Sequence, residues 1–298
     1  MKHLRILFLL LICPLAYAGD GVPKPLIVVL NAFEPELQAT LKNLGLDPVK
    51  SALPRIHGVP FYRGEVDGKD VLVVETGMSM VNAALSLQLT LDRFPVTQVL
   101  FAGVAGGIDP ALAVGDVVIP ERWAYHGEAA YFNPDGKGGY IISDYFTPKY
   151  PNFGMIFPGN VQATTAATGK FEDTATFPAD PALLAVARRA LEKIGPFKSE
   201  HTGRVLKVEV GGTGVSGTVF MDNAEYRQFV FKVWHARCLD METTAYAHVC
   251  YTNHVPFLAV RSLSDLAGGQ VGKNVEEAND TPSSTNAARV LREIIREM

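Results

Sequence analysis

Four times along this chain a predicted strand leads straight into acidic or glycine-rich sequence, and that repetition constrains the fold more than any other feature. Leu26 to Leu30 is rich in branched residues and delivers Asn31 to Glu36. Val99 to Ala102 opens onto Gly103-Val104-Ala105-Gly106-Gly107, a strand ending near Cys238 opens onto Leu239 to Glu242, and Pro256 to Val260 opens onto Arg261 to Asp265. Apolar runs without alternation read as strands covered on both faces. In open α/β sheets the ligand lies beyond the carboxyl ends of the strands, so these four segments predict one shared crevice holding Glu36, Glu242 and Asp265. Singly, each carboxylate reads as a helix cap or a solvated loop. Their joint placement gives them meaning.

The rest of the chain fits an α/β alternation. A helix with apolar positions Leu37, Leu41 and Leu44 ends at Gly45, where a left-handed stop is expected. Phe61 to Val66 and Val71 to Glu75 flank Asp67-Gly68, a pair that favours positive φ and joins antiparallel strands, so the sheet is expected to be mixed. Further helices are predicted over Val81 to Phe94, from Pro181 after the Asp180 cap to Ile194, and near Asn223 to Val233, Thr243 to Tyr251 and Ser284 to Glu297. Strands are predicted at Val117 to Pro120 and Val205 to Val210. Between Ala129 and Pro178 neither period is sustained, and the segment reads as a long loop insertion. The expectation is one α/β domain, a mixed β-sheet flanked by helices.

Lys2 and Arg5, the apolar run Ile6 to Leu15 and Ala16-Tyr17-Ala18 have the order of a secretory signal, which predicts a leader over 1–18, a mature domain over 19–298 and a secreted or periplasmic location. That run is too short to span a bilayer, so membrane anchoring is not expected. With 48% hydrophobic residues the 298-residue chain can build one large core. The net charge of -4 and the lack of a basic cluster argue against nucleic acid and for a small ligand. Cys238 and Cys250 read as two buried thiols.

Several chemistries are disfavoured by spacing. The glycine run after Val99 to Ala102 lacks both the P-loop ending and the dinucleotide-binding spacing. The seven histidines are scattered, with no paired cysteines, so neither metal nor cofactor is implied. Ser216 within Gly214-Val215-Ser216-Gly217 reads as a nucleophile elbow, with an esterase as the alternative from another reaction class, but the extended-favouring Thr218-Val219-Phe220 stands where a helix is needed.

Ala32-Phe33-Glu34-Pro35-Glu36, the hairpin Phe61 to Glu75 leading into Thr76-Gly77, Ala102 to Gly107, Val114-Gly115-Asp116-Val117, Ser216 to Met221, Asp240-Met241-Glu242 and Arg261 to Asp265 resemble, in order, the motif set of methylthioadenosine/S-adenosylhomocysteine nucleosidases in the purine nucleoside phosphorylase and uridine phosphorylase superfamily. The resemblance runs from about Leu26 to Ala267 and implies a nucleoside phosphorylase-like fold and cleavage of the N-glycosidic bond of a purine nucleoside. It assigns Asp265 as proton donor to the purine, Glu36 as base for the attacking water and Arg261 as the group that fixes Glu36. Glu242 would accept the ribose hydroxyls, Phe220 would stack on the base, and Met221 and Met241 would line base and sugar. By default, an aromatic and two methionines are core residues.

Two alternatives stay open on the sequence. Phosphorylases of the superfamily carry basic residues around phosphate, whereas Asn31 to Glu36 and Phe101 to Gly107 contain none, which favours water over phosphate. The runs Gly214 to Asn223 and Asp240 to Gly269 also resemble plant vegetative and bark storage proteins, a non-catalytic alternative. Val104 stands where the nucleosidases usually carry a serine that orients water. The resemblance also implies a homodimer with part of the pocket supplied by the partner.

Overall fold

The computed structural model describes residues 25–165 and 167–298, and the expected leader at 1–18 lies outside the described residues. In chain order the elements are β1 (Leu26–Asn31), α1 (Glu34–Leu44), β2 (Ala52–Ile56), β3 (Val59–Val66), β4 (Lys69–Glu75), α2 (Met80–Arg93), β5 (Val96–Gly107), β6 (Val117–Ile119) and β7 (Arg122–Tyr125). There follow β8 (Ala129–Tyr131), β9 (Ile156–Pro158), β10 (Val161–Ala163), β11 (Glu172–Thr174), β12 (Phe177–Pro178) and α3 (Pro181–Ile194). The chain closes with β13 (Val208–Val210), β14 (Thr213–Ser216), α4 (Ala224–Trp234), β15 (Ala236–Asp240), α5 (Thr243–Asn253), β16 (Phe257–Asp265) and α6 (Glu276–Glu297). No helix among the described residues is long and apolar enough to cross a membrane.

A mixed sheet organises the domain. β1 lies between β4 and β5, parallel to both, and β5 pairs in parallel with β16. The β2–β3–β4 meander is antiparallel and turns at Asp67 and Gly68, which have φ of 47° and 80°. Side chains alternate across β1: Ile27 and Val29 join a core with α1, α3 and α6, while Leu26, Val28 and Leu30 meet α2 and α5 on the opposite face. Helices on both faces explain why the run reads as continuously apolar. Asp180 caps α3 by accepting from the Leu183 N–H at 2.9 Å, and Gly45 ends α1 at φ 72°.

Several local expectations change. The strand does not stop at Ala102: β5 continues through the glycine run to Gly107 because β16 and β15 pair with it there. β16 likewise runs through Arg261 to Asp265 rather than stopping at Val260. The 129–178 segment is not structureless, since β8 pairs with β9, β10 with β11, and β12 joins the main sheet on β7. α6 begins at Glu276, eight residues ahead of the predicted start, and keeps Pro282 inside it. Cys238 and Cys250 are free and buried.

Candidate active site

The carboxyl ends of β1, β5, β15 and β16 meet at a cleft of about 560 Å³, part of it open to solvent. Its lining includes all seven residues singled out from the sequence: Glu36 on α1, Phe220 and Met221 after β14, Met241 and Glu242 after β15, and Arg261 and Asp265 on β16. Among the described residues, none of those lining the cleft belongs to the 129–178 segment.

Glu36 is held from three directions. It is 1% exposed, its Oε2 accepts from the Ala32 N–H at 2.6 Å, and its Oε1 accepts from the Val104 N–H at 2.8 Å. Arg261 Nη1 lies 3.5 Å from the same Oε1. Burial outweighs the opposing pull of Arg261 and the two N–H donors and raises the carboxyl to about 7. That is a useful value for a base that must take a proton near neutrality.

The glycine run exists to let these groups meet. Parallel register sets Arg261 opposite Gly103 and Asp265 opposite Gly106. A Cβ on Gly103 would lie 1.9 Å from Glu36 Oε1 and 2.5 Å from Arg261 Nη1, so only glycine fits. On Gly106 it would lie 3.2 Å from Asp265 Oδ1.

Arg261 is 1% exposed and lies among acceptors on several sides. Nη2 donates to the Val104 carbonyl, Nε is 3.1 Å from Asp240 Oδ2 without the alignment of a hydrogen bond, and the guanidinium lies 4.1 Å from the Phe101 ring centroid. Among the described residues lining the cleft, Arg261 is the sole basic side chain. Asp240, for which the sequence supplied a motif but no role, emerges as its anchor. Asp240 itself accepts from Ser216 Oγ at 2.5 Å, from Thr243 Oγ1 and from the Thr243 N–H at 3.1 Å.

Glu242 sits at the start of α5, 4% exposed, with Oε1 accepting from the Ser79 N–H at 2.6 Å. Burial and then the negative charge of Asp240 push it above the usual carboxylate range. Ser79 makes this contact from φ 76°, ψ 157°, a region otherwise reserved for glycine. Nothing in the sequence around Ser79 signalled that role.

At the other end, Asp265 is 4% exposed. Its Oδ1 accepts from the Ala267 N–H at 2.5 Å and its Oδ2 from Ser264 Oγ at 3.1 Å. Burial raises its pKa against these donors. Met221 is buried in the same lining, whereas Phe220 is 57% exposed at the mouth.

Ser216 is no nucleophile. β14 does end at this serine, but no helix follows until α4, the hydroxyl is buried, and it is committed to Asp240 and to the Thr244 N–H at 2.9 Å. The flanking glycines answer to packing: a Cβ on Gly214 would meet Trp123 at 2.4 Å, and one on Gly217 would meet His126 at 2.3 Å.

Comparison with known proteins identifies the family. The family model described as phosphorylase superfamily matches residues 26–298, and the chain belongs to that superfamily. It is 34% identical to the 5′-methylthioadenosine/S-adenosylhomocysteine nucleosidase of Marinomonas sp. (strain MWYL1) over 74% of this chain and 79% of that protein. It is 30% identical to the enzyme of the same name from Colwellia psychrerythraea over 88% and 93%. Among solved structures, the Colwellia nucleosidase in complex with adenine matches with a TM-score of 0.67 at 25% identity, covering 92% of this chain and 96% of that one. Futalosine hydrolase of Helicobacter pylori shares the fold with a TM-score of 0.69 at 23% identity, covering 92% and 98%.

Proposed function

We propose that this protein hydrolyses the N-glycosidic bond of adenine nucleosides, with 5′-methylthioadenosine and S-adenosylhomocysteine as the substrates to test first. It is an N-glycosidase of the phosphorylase superfamily, and two carboxyl groups carry the chemistry. Asp265 protonates the departing purine, Glu36 takes the proton of the attacking water, and Glu242 accepts from the ribose hydroxyls. Phe220, Met221 and Met241 flank base and sugar. The observation that carries hydrolysis over phosphorolysis is the engagement of Arg261 by Glu36, Asp240 and Val104, which leaves no uncommitted cation for phosphate among the described residues lining the cleft. Incubation with methylthioadenosine, with and without phosphate, should release adenine and free sugar at the same rate. Phosphate-dependent formation of a sugar 1-phosphate would reverse the assignment, and nucleoside binding without release of base would favour a storage or binding protein.

The mature form acts outside the cytoplasm, a reading supported by the leader-like order of residues 1–18. N-terminal sequencing of protein from its host should begin at or near Gly19. The assembly is a homodimer. Met78, Val81 and Leu85, 57%, 75% and 67% exposed, support this reading because they leave an apolar strip running from the cleft along α2. Sedimentation should report twice the chain mass.

A further inference from the structure

The proton donor of the proposed reaction presents a difficulty. Asp265 accepts from Ala267, from Ser264 and, at 3.5 Å, from Asn274 Nδ2, and all three donors favour the ionised carboxylate that cannot donate. Burial opposes them, but the lining also holds a further carboxyl that no motif marked. Glu276, the first residue of α6, faces the same cleft. Asn274 ties the two together: its Oδ1 accepts from the Glu276 N–H at 2.8 Å while its Nδ2 reaches Asp265 and, at 3.0 Å, Asp222.

We propose that Glu276 is a positioning residue for proton delivery, its carboxyl and that of Asp265 holding one proton between them at neutral pH. The proposal rests on the N-glycosidase reading and deepens it. Like charges sharing one partly dry cleft cannot both ionise freely, so the first proton lost belongs to the pair. The surroundings reinforce this. Burial, then the charges of Asp280, Asp265 and Glu277, raise Glu276 to about 7, and Asp280 is raised by burial, Asp265 and Glu277. Asp222 adds its charge from the turn before α4. The basic group facing Asp265 from α4 is Arg227, whose Nε donates to the Gly107 carbonyl at 2.8 Å. In the reaction, the bond from sugar to base breaks with its electron pair staying on the base. The base takes the proton from Asp265, the water oxygen bonds the anomeric carbon, and the water's proton goes to Glu36. Solvent then returns a proton to the pair and removes one from Glu36.

The test is the pH profile of kcat/KM for methylthioadenosine in the unmutated protein, Glu276→Gln and Glu276→Asp. Removing the second charge makes Asp265 ionise earlier, so the alkaline limb of Glu276→Gln should move down by about one pH unit, and the ratio of activity at pH 8 to that at pH 5.5 should fall about tenfold. Glu276→Asp should return the limb toward its original position. An unchanged limb in a folded Glu276→Gln protein overturns the proposal. If the unmutated protein releases no base, the N-glycosidase reading fails first, and calorimetric titration with adenine then reads the pair directly. Adenine affinity lost at a pH about one unit lower in Glu276→Gln supports the shared proton, and coincident curves overturn it.

Discussion

Replacing Gly103 by alanine tests whether the close approach of β5 to Glu36 sets the catalytic geometry. The added Cβ would lie 1.9 Å from Glu36 Oε1, where ordinary contact begins near 3.4 Å. The carboxylate, the guanidinium or the strand must therefore retreat by about 1.5 Å in total, and displacements of about 1 Å in a reacting group can cost about 100-fold in rate. Overpacking of this kind also costs about 1–3 kcal/mol of stability. Adenine release from methylthioadenosine gives the turnover, and thermal unfolding gives the stability. Gly64→Ala serves as the comparison, because its Cβ would meet the movable Leu46 Cδ2 at 2.5 Å, on β3 and outside the cleft lining. The expected result is a turnover loss of about 100-fold or more in Gly103→Ala with a modest fall in Tm, against near-normal turnover in Gly64→Ala. A folded Gly103→Ala protein with turnover within about threefold of the original would refute the argument that Glu36 must sit where the strand now holds it.

Asp265→Asn and Glu36→Gln should each lower turnover by about 100-fold or more while leaving nucleoside affinity within about tenfold, measured by single-turnover kinetics and calorimetry. Glu242→Ala should instead weaken nucleoside binding by at least about tenfold, read as a rise in Kd, because it removes a contact already made in the ground state. Glu36 keeps its proton in the fold to about 7, above its ordinary 4.5. Its contribution to stability is thus complete below about pH 4.5 and gone once pH has risen past about 7. Denaturant titrations should show Glu36→Gln with a flatter stability curve than the unmutated protein across that interval.

The strand ends were readable because a both-sides-buried strand must be apolar, and what interrupts it must have another reason to be there. Strand ends located Glu36, Glu242 and Asp265, while Arg261 came from the family resemblance. The same reading of strand ends misjudged the length of β5 and β16, since a glycine run looks like a turn when the strand that needs its missing side chains lies more than 150 positions away. Asp240 was visible as part of a motif, but its service to Arg261 depends on a contact between β15 and β16. Ser79 works through its backbone N–H, which carries no residue signature at all. Glu276 was hidden for a different reason: the weak helix-forming stretch around Pro282 delayed the predicted start of α6 past it.

Arg261 has a consequence for how this chemistry can change. A cation shared among Glu36, Asp240 and the Val104 carbonyl, with an aromatic face against it, cannot turn toward a new anion without releasing two buried carboxylates at once. Adopting phosphate as a co-substrate therefore needs a basic group imported from another strand end, and intermediates lacking it gain nothing. Drift in the substrate pocket and drift in the choice of nucleophile are thereby uncoupled: Phe220 and the mouth can vary residue by residue, while the water-using centre changes only as a block.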